Sequence, residues 1–375
     1  MRIAIDASRT TVARVTGTER YALELLRALL RQNSRHQLTL YFRDVPPEGL
    51  FPAHTSIRTL TMPRLWTHLA FAAELWRTKP DLTFVPAHAL PFVFPGRAVV
   101  TIHDLGYRYF PKAHPAAQRL YLDLSTRTSA ARATRIFADS QATARDLTRF
   151  YGTPPDKIRV LYPGVDAPAI GSIDAVRTKY RLPPRYWLYL GTLQPRKNIR
   201  VLVEGYRRWR AAHPDDPSAL VLAGGRGWLY DPSWTAGAEG VIETGYIDEA
   251  DKGALYAGAR ALLFPSLYEG FGFPVLEALG CGTPVICSDS SSLPEIGGSV
   301  ADYIHLPPEL LSAADSGDDL LKYLAAMADD LAAAMARLAD EAYLPSARAA
   351  RQRWAAQFTW ESAAAAALDT FDELE

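Results

Sequence analysis

The residue types best suited to chemistry crowd into one stretch, Phe264-Pro265-Ser266-Leu267-Tyr268-Glu269-Gly270-Phe271-Gly272-Phe273-Pro274-Val275-Leu276-Glu277-Ala278. Its apolar start reads as a strand. Gly270 and Gly272 let the backbone approach a ligand closely, and Pro274 occupies a favoured first-turn position of a helix. Backbone amides along Phe273 to Leu276 would then face an anion, which the helix macrodipole also favours. Glu277 falls about one turn inside that helix and Glu269 in the preceding loop. Carboxylates so placed accept hydrogen bonds from vicinal hydroxyls, as a ribose or a hexose offers. The pair equally fits a plain helix start with one solvated and one capping glutamate.

A second stretch, Leu190-Gly191-Thr192-Leu193-Gln194-Pro195-Arg196-Lys197-Asn198, follows a strand expected at 187–190. Adjacent cations there could neutralise a diphosphate, Arg196 as a planar fork and Lys197 as a point charge. Lysine is scarce, seven residues against thirty-four arginines, which makes Lys197 distinctive. The run Val100-Thr101-Ile102 delivers His103 and Asp104 to another strand end, where either could be purely structural, Asp104 as a helix cap. Thr16-Gly17-Thr18-Glu19-Arg20 forms the turn before the first helix and allows phosphate contact, but it is not Gly-x-Gly-x-x-Gly. The chain also lacks a Gly-x-x-x-x-Gly-Lys-Ser/Thr loop, a Gly-x-Ser-x-Gly elbow, His-Glu-x-x-His and any Asp-x-Asp pair. No metal ligand set is therefore expected, and a bound diphosphate would rest on helix amides with Arg196 and Lys197.

Such groups need strand ends to carry them. Short β-rich apolar runs alternate with helical patterns, which argues for an α/β fold with parallel sheets built from βαβ units. Strands are expected at 2–7, 37–42, 57–60, 82–85, 99–103, 135–138 and 157–161, then at 187–190, 219–223, 241–243, 261–264, 285–287 and 303–305. Tyr21, Leu25, Ala28 and Leu29 line one stripe of the first helix, with Thr18 as its N-cap. Pro and Gly accumulate over 162–184, which reads as a connector between an N-terminal domain, 1–165, and a C-terminal one, 175–357. Two doubly wound domains bind ligands at their carboxyl-end crevices, so the cleft between them is the expected site.

The composition agrees with a globular chain of more than one domain: 48% hydrophobic and 22% charged residues, 41 basic balancing 41 acidic. Zero net charge leaves no electrostatic footprint for nucleic acid. The longest apolar stretch, 82–93, is broken by Pro86, His88 and Pro91, short of the roughly 18 to 20 residues of a membrane span. The first residues read as a strand, not a signal peptide, so a cytoplasmic protein is expected. Cys281 and Cys287 lack Cys-x-x-Cys spacing and read as buried fillers. Residues 64–77 mix Trp66 and Trp76 with Arg64 and Arg77 at helical spacing. They are expected to pack as a helix on the first-domain sheet, with peripheral contact to an anionic membrane as the other reading.

In combination the motifs resemble the retaining glycosyltransferase family 4, with its two-domain GT-B fold. Glu269-Gly270-Phe271-Gly272 with Glu277 is similar to the family's Glu-x-Phe-Gly-x-x-x-x-Glu motif, Arg196-Lys197-Asn198 to its basic pair, and Ile102-His103-Asp104 to its first-domain histidine. Thr16-Gly17-Thr18-Glu19-Arg20 is similar to its first loop, though with a single glycine where many members have more, and Asp139-Ser140 to the end of a first-domain strand. The likeness runs from about Arg2 to Trp360 and implies two Rossmann-like domains facing each other across a cleft. It also implies that the last helix, 358–375, returns to the first domain.

The resemblance implies site roles as well. Arg196 and Lys197 hold the diphosphate of a sugar nucleotide, Glu277 the ribose, and Glu269 with the amides over Gly270, Phe271, Gly272, Phe273 and Pro274 the donor sugar. Gly191, Val275 and Leu276 complete the donor side, and Gly245-Tyr246-Ile247 approaches the base. His103 touches the transferred sugar, and Gly17 lies by the phosphate or the acceptor. The implied activity is metal-independent and needs no cofactor: a sugar moves from a GDP- or UDP-sugar to a hydroxyl of a glycan or lipid-linked acceptor, with retained configuration, as in polysaccharide biosynthesis. Competing readings are a sugar-nucleotide epimerase, a glycogen-type phosphorylase, for whose cofactor lysine no motif stands out, and a non-catalytic sugar-nucleotide binding module. A dehydrogenase would need the missing glycine fingerprint.

Overall fold

Apolar runs without polar alternation make strands buried on both faces, as parallel sheets demand. Leu82–Val85, Tyr186–Leu190 and Ala219–Ala223 are buried throughout. The computed structural model describes residues 1–12, 16–32, 35–62, 64–87, 89–111, 115–227, 229–307, 317–338 and 340–375, with the side chains of 317–322 set aside. Two compact units form: one from residues 1–107, 115–164 and 358–375, the other from 165–357 with a short piece beginning at Arg108.

The first unit runs β1 (Arg2–Asp6), α1 (Gly17–Arg31), β2 (Gln37–Phe42), β3 (Ser56–Thr59), a π turn at Thr67–Phe71 leading into α2 (Ala72–Thr78), β4 (Leu82–Val85) and β5 (Arg97–Ile102). It continues with α3 (Gly106–Tyr109), α4 (Ala116–Arg132), β6 (Arg135–Ala138), α5 (Gln141–Tyr151) and β7 (Ile158–Val160). Its strands pair in parallel in the order β3-β2-β1-β4-β5-β6-β7. The second unit holds α6 (Ile173–Tyr180), β8 (Tyr186–Leu190), α7 (Ile199–Ala212), β9 (Ala219–Ala223), β10 (Val241–Gly245), α8 (Lys252–Ala257) and β11 (Leu262–Phe264). α9 (Phe273–Gly280), β12 (Val285–Ser288), α10 (Leu293–Gly297), β13 (Asp302–Ile304), α11 (Gly317–Arg337) and α12 (Pro345–Ala355) complete it. Its parallel sheet is ordered β10-β9-β8-β11-β12-β13. Both sheets reverse direction of winding, the first between β1 and β4, the second between β8 and β11, the switch points at which open α/β sheets bind ligands. No helix among the described residues is long and apolar enough to cross a membrane.

The first helix buries the expected stripe, Tyr21, Leu25, Ala28 and Leu29, with Ala22 and Leu26 beside it. Its cap differs from expectation. Thr16, not Thr18, is the N-cap, in a capping box with Glu19 that satisfies two orphan groups reciprocally. The chain's last helix, α13 (Trp360–Glu373), lies against α1 in the first unit. Phe371 packs 5.4 Å from the Phe84 ring and Trp360 6.0 Å from Tyr21. A Cβ on Gly164 would stand 2.1 Å from the Trp360 backbone nitrogen, so the chain passes there only as glycine. The expected connector also differs: it contains α6, capped by Ser172 and packed on α8.

Candidate active site

In the second unit the motifs leave strand ends on either side of the β8–β11 switch point. β8 runs into Gly191 and β9 into Gly224, both in left-handed backbone at φ +153° and +143°. A Cβ on Gly224 would lie 2.0 Å from the Gly191 carbonyl oxygen, so these two strand ends approach as no side chain allows. A single 3₁₀ turn, Pro195–Lys197, then presents the two cations and ends in left-handed Asn198, from which α7 starts.

Those cations meet the loop after β11. Lys197 Nζ stands 2.5 Å from Oε1 of Glu269 and 5.1 Å above the Phe264 ring. Arg196 donates to Oε2 of the same carboxylate at 3.2 Å and to the Tyr268 carbonyl, and the Leu267 amide returns a 2.9 Å bond to the Arg196 carbonyl. Burial pushes the Glu269 carboxyl up, but Lys197 and Arg196 together outweigh it and hold the group below its ordinary value. One carboxylate against two cations leaves a positive surplus beside a helix N-terminus, and that arrangement attracts a phosphate.

Four serines at and just past the end of β12 fix the loop that carries Glu269. Ser288 donates to the Ser266 carbonyl, Ser290 to Leu267 at 2.8 Å, and Ser292 to both Glu269 at 3.0 Å and Phe271 at 2.6 Å. Ser291 accepts the Glu269 amide at 2.8 Å. The loop ends at Gly272, φ +114°, which N-caps α9, and Pro274 fills the first turn. Glu277, buried in α9, takes a 2.9 Å bond from Tyr256 and faces Lys252 at 3.9 Å, a set separate from Glu269. At the end of β10, Gly245 is left-handed at φ +74° and accepts the Gly224 amide at 2.8 Å. Tyr246 beside it is exposed and Ile247 buried.

In the first unit, His103 follows β5 and is buried. Its Nδ1 lies 2.7 Å from Asp139, at the end of β6, and its Nε2 3.1 Å from the Pro86 carbonyl, past the end of β4. With Asp139 ionised both partners accept, an arrangement that favours a proton on each ring nitrogen. Burial alone would lower its pKa, but Asp139 reverses this and the net direction is upward. The Tyr21 ring of α1 meets the imidazole edge-on at 4.8 Å. Gly17 is the first residue of α1, and Asp104 accepts the Gly106 amide at the start of α3. Among the described residues, the constellation with metal-ligand spacing is His36 with Asp372 and Glu375, in this unit, and Arg35 already pairs with both carboxylates.

The serine clamp, Tyr256 and Lys252 lie outside the motifs read from sequence; the run Ser288-Asp289-Ser290-Ser291-Ser292 was the available signal. Both cysteines are buried as expected, and burial pushes Cys281 up to about 12.

Residues 15–167 match the model described as Glycosyltransferase Family 4, and 173–338 match Glycosyl transferases group 1. The O-antigen chain mannosyltransferase B of Escherichia coli is 33% identical over 323 residues, 77% of this chain and 83% of that one. Sucrose-phosphate synthase from Thermosynechococcus elongatus shares the fold with a TM-score of 0.66 at 21% identity, covering 100% of this chain and 98% of that one. Anabaena Alr3699/HepE, solved in complex with UDP and glucose, does so with a TM-score of 0.64 at 14% identity, covering 100% of both chains. With both halves matched in order and a relative of this identity covered over most of its length, the chain belongs to glycosyltransferase family 4 and is a glycosyltransferase of the GT-B fold.

Proposed function

We propose that the enzyme moves a hexose, mannose in the first instance, from a nucleoside diphosphate sugar to a hydroxyl of a growing glycan or lipid-linked acceptor, with retained configuration and without a metal ion. The observation that carries this reading is the Arg196–Lys197–Glu269 knot beside the N-terminus of α9. Its positive groups would counter the charge of a diphosphate. The name of the Escherichia coli relative supports mannose and a polysaccharide acceptor, and the UDP complex of the Anabaena neighbour supports a nucleoside diphosphate donor.

In this reading Lys197 and Arg196 shift from Glu269 toward the diphosphate, Glu277, oriented by Tyr256, accepts the ribose hydroxyls, and His103 meets the transferred sugar. The bond from the anomeric carbon to the diphosphate oxygen breaks while the bond to the acceptor oxygen forms on the same face. The acceptor's proton passes to the departing diphosphate oxygen. The protein's part is to stabilise leaving-group charge and align two substrates.

Release of nucleoside diphosphate from a panel of GDP- and UDP-sugars, with and without acceptor and chelator, tests the reading. Acceptor-stimulated, chelator-insensitive release is expected, and Lys197→Ala should lower kcat by about a hundredfold or more. Tight donor binding without release, or unchanged turnover in Lys197→Ala, would overturn it.

A further inference from the structure

A groove opens on the second unit apart from the Arg196–Lys197–Glu269 knot. Arg200 stands in the first turn of α7 and Arg208 about two turns further on. α11 packs along α7, and the 3₁₀ turn Pro232–Trp234 also meets that helix. Residues of all three enclose about 490 Å³, a volume within the range of small-molecule sites.

The walls alternate in charge. Arg200, Arg207 and Arg208 line the groove together with Glu204 and Asp231. Arg208 donates to Glu204 at 3.0 Å and pairs with Asp329 at 2.6 Å, while Arg207 reaches the Ala236 carbonyl at 3.3 Å. Asp231 accepts the Ser233 amide at 2.9 Å, and that bond, with the charge of Arg200 nearby, holds its carboxyl below the ordinary value. Trp234 and Leu324, both half-buried, add apolar area. The indole is held in place: Tyr230 meets it edge-on at 5.6 Å, and the hydroxyls of Tyr230 and Thr235 each donate to Glu243 of β10 at 2.7 Å.

We propose that this groove is a second carbohydrate site, which binds a neutral hexose oligosaccharide apart from the transfer centre. The weakly positive C–H edges of a pyranose suit the negative face of the indole. Its hydroxyls accept from guanidinium groups and donate to carboxylates, so both signs of charge find partners on one uncharged ligand. An inorganic anion would meet Glu204 and Asp231, and an apolar ligand would strip water from the guanidinium groups without replacing it. Between Arg200 and Arg208 the groove follows α7 for about 12 Å, room for more than one sugar ring. The site stands on the groove alone; the choice of mannose for one probe rests on the transfer reading.

Titration calorimetry and saturation-transfer difference NMR of the full chain with mannotriose and with maltotriose test it. Saturable binding of at least one trisaccharide is expected, unchanged in Lys197→Ala and in the presence of saturating pyrophosphate. Trp234→Ala should raise the Kd about tenfold. Arg200→Ala and Asp231→Asn, at exposed positions, should weaken binding in the same direction with circular dichroism and melting temperature unchanged. Absence of binding by both sugars, or equal binding by the Trp234→Ala and Arg200→Ala variants and the native chain, would overturn the proposal. Binding lost in Lys197→Ala or displaced by pyrophosphate would also overturn it, by assigning the sugar to the transfer centre. Trisaccharide binding that persists in a chain showing no transfer would fault the proposed reaction and leave this site standing.

Discussion

Lys197 and Glu269, 72 positions apart in sequence, are joined by a 2.5 Å ion pair in which Arg196 takes the second carboxylate oxygen. Neither cation faces an empty site: any phosphate must compete with Glu269. Glu269→Gln should leave two partly buried cations without their counter-charge and cost about 3 kcal/mol of stability. Inorganic pyrophosphate should then raise the melting temperature of the variant more than that of the native chain. The same ion pair sets a pH dependence. The folded carboxyl lies below its ordinary 4.5, so its stabilisation is complete above that value and lost as pH falls through the lowered one. Urea unfolding across the acid range reads this slope, which Glu269→Gln should flatten.

The His103–Asp139 pair works with the opposite sign. The histidine's folded value lies above its ordinary 6.5, so its contribution is fully present below 6.5 and lost as pH rises through the raised value. Nitrogen NMR of the ring should show both nitrogens protonated at neutral pH. In Asp139→Asn the ring should lose a proton there, and a ring neutral in the native protein would refute the assignment.

Ser292 spans two carbonyls of the Glu269 loop, and Ser292→Ala leaves both without that donor. A loss of about 1–3 kcal/mol is expected. If the clamp positions Glu269, kcat should fall more than KM rises, and Ser292→Thr should restore part of the loss. Equal turnover in all three proteins would make the clamp purely structural.

Gly164→Ala drives a methyl into the Trp360 backbone, not into a side chain that could swing away. Local unfolding around α13 should follow, read as faster proteolysis near residue 358 and a destabilisation above about 2 kcal/mol.

Strands were the legible part of this fold, because parallel strands covered on both faces read as unbroken apolar runs. All the expected strands form within a residue or two of their expected bounds. α6 was hidden because Val176 is its sole buried residue, leaving no stripe to read. Thr18 drew attention as a cap by standing close to Tyr21, although Thr16-x-x-Glu19 carried the capping-box spacing. Around the candidate site, residue types and local turns could be read, but partnerships could not. Hydrogen bonds such as Ser292 to Glu269 link residues more than twenty positions apart, and nothing in either segment alone names the other. The mix of Trp and Arg over 64–77 was visible; which side entered the core was not, since the π turn shifts the helical phase midway.

α13 belongs to the first unit's core, and its Phe371 ring lies against Phe84 and Phe137. During translation, the hydrophobic nucleus begun by residues 1–164 therefore waits, incomplete, while the next 193 residues, 165–357, are polymerised. Those later residues have all their own strands in hand as soon as they emerge. The portion made first is the portion that closes last.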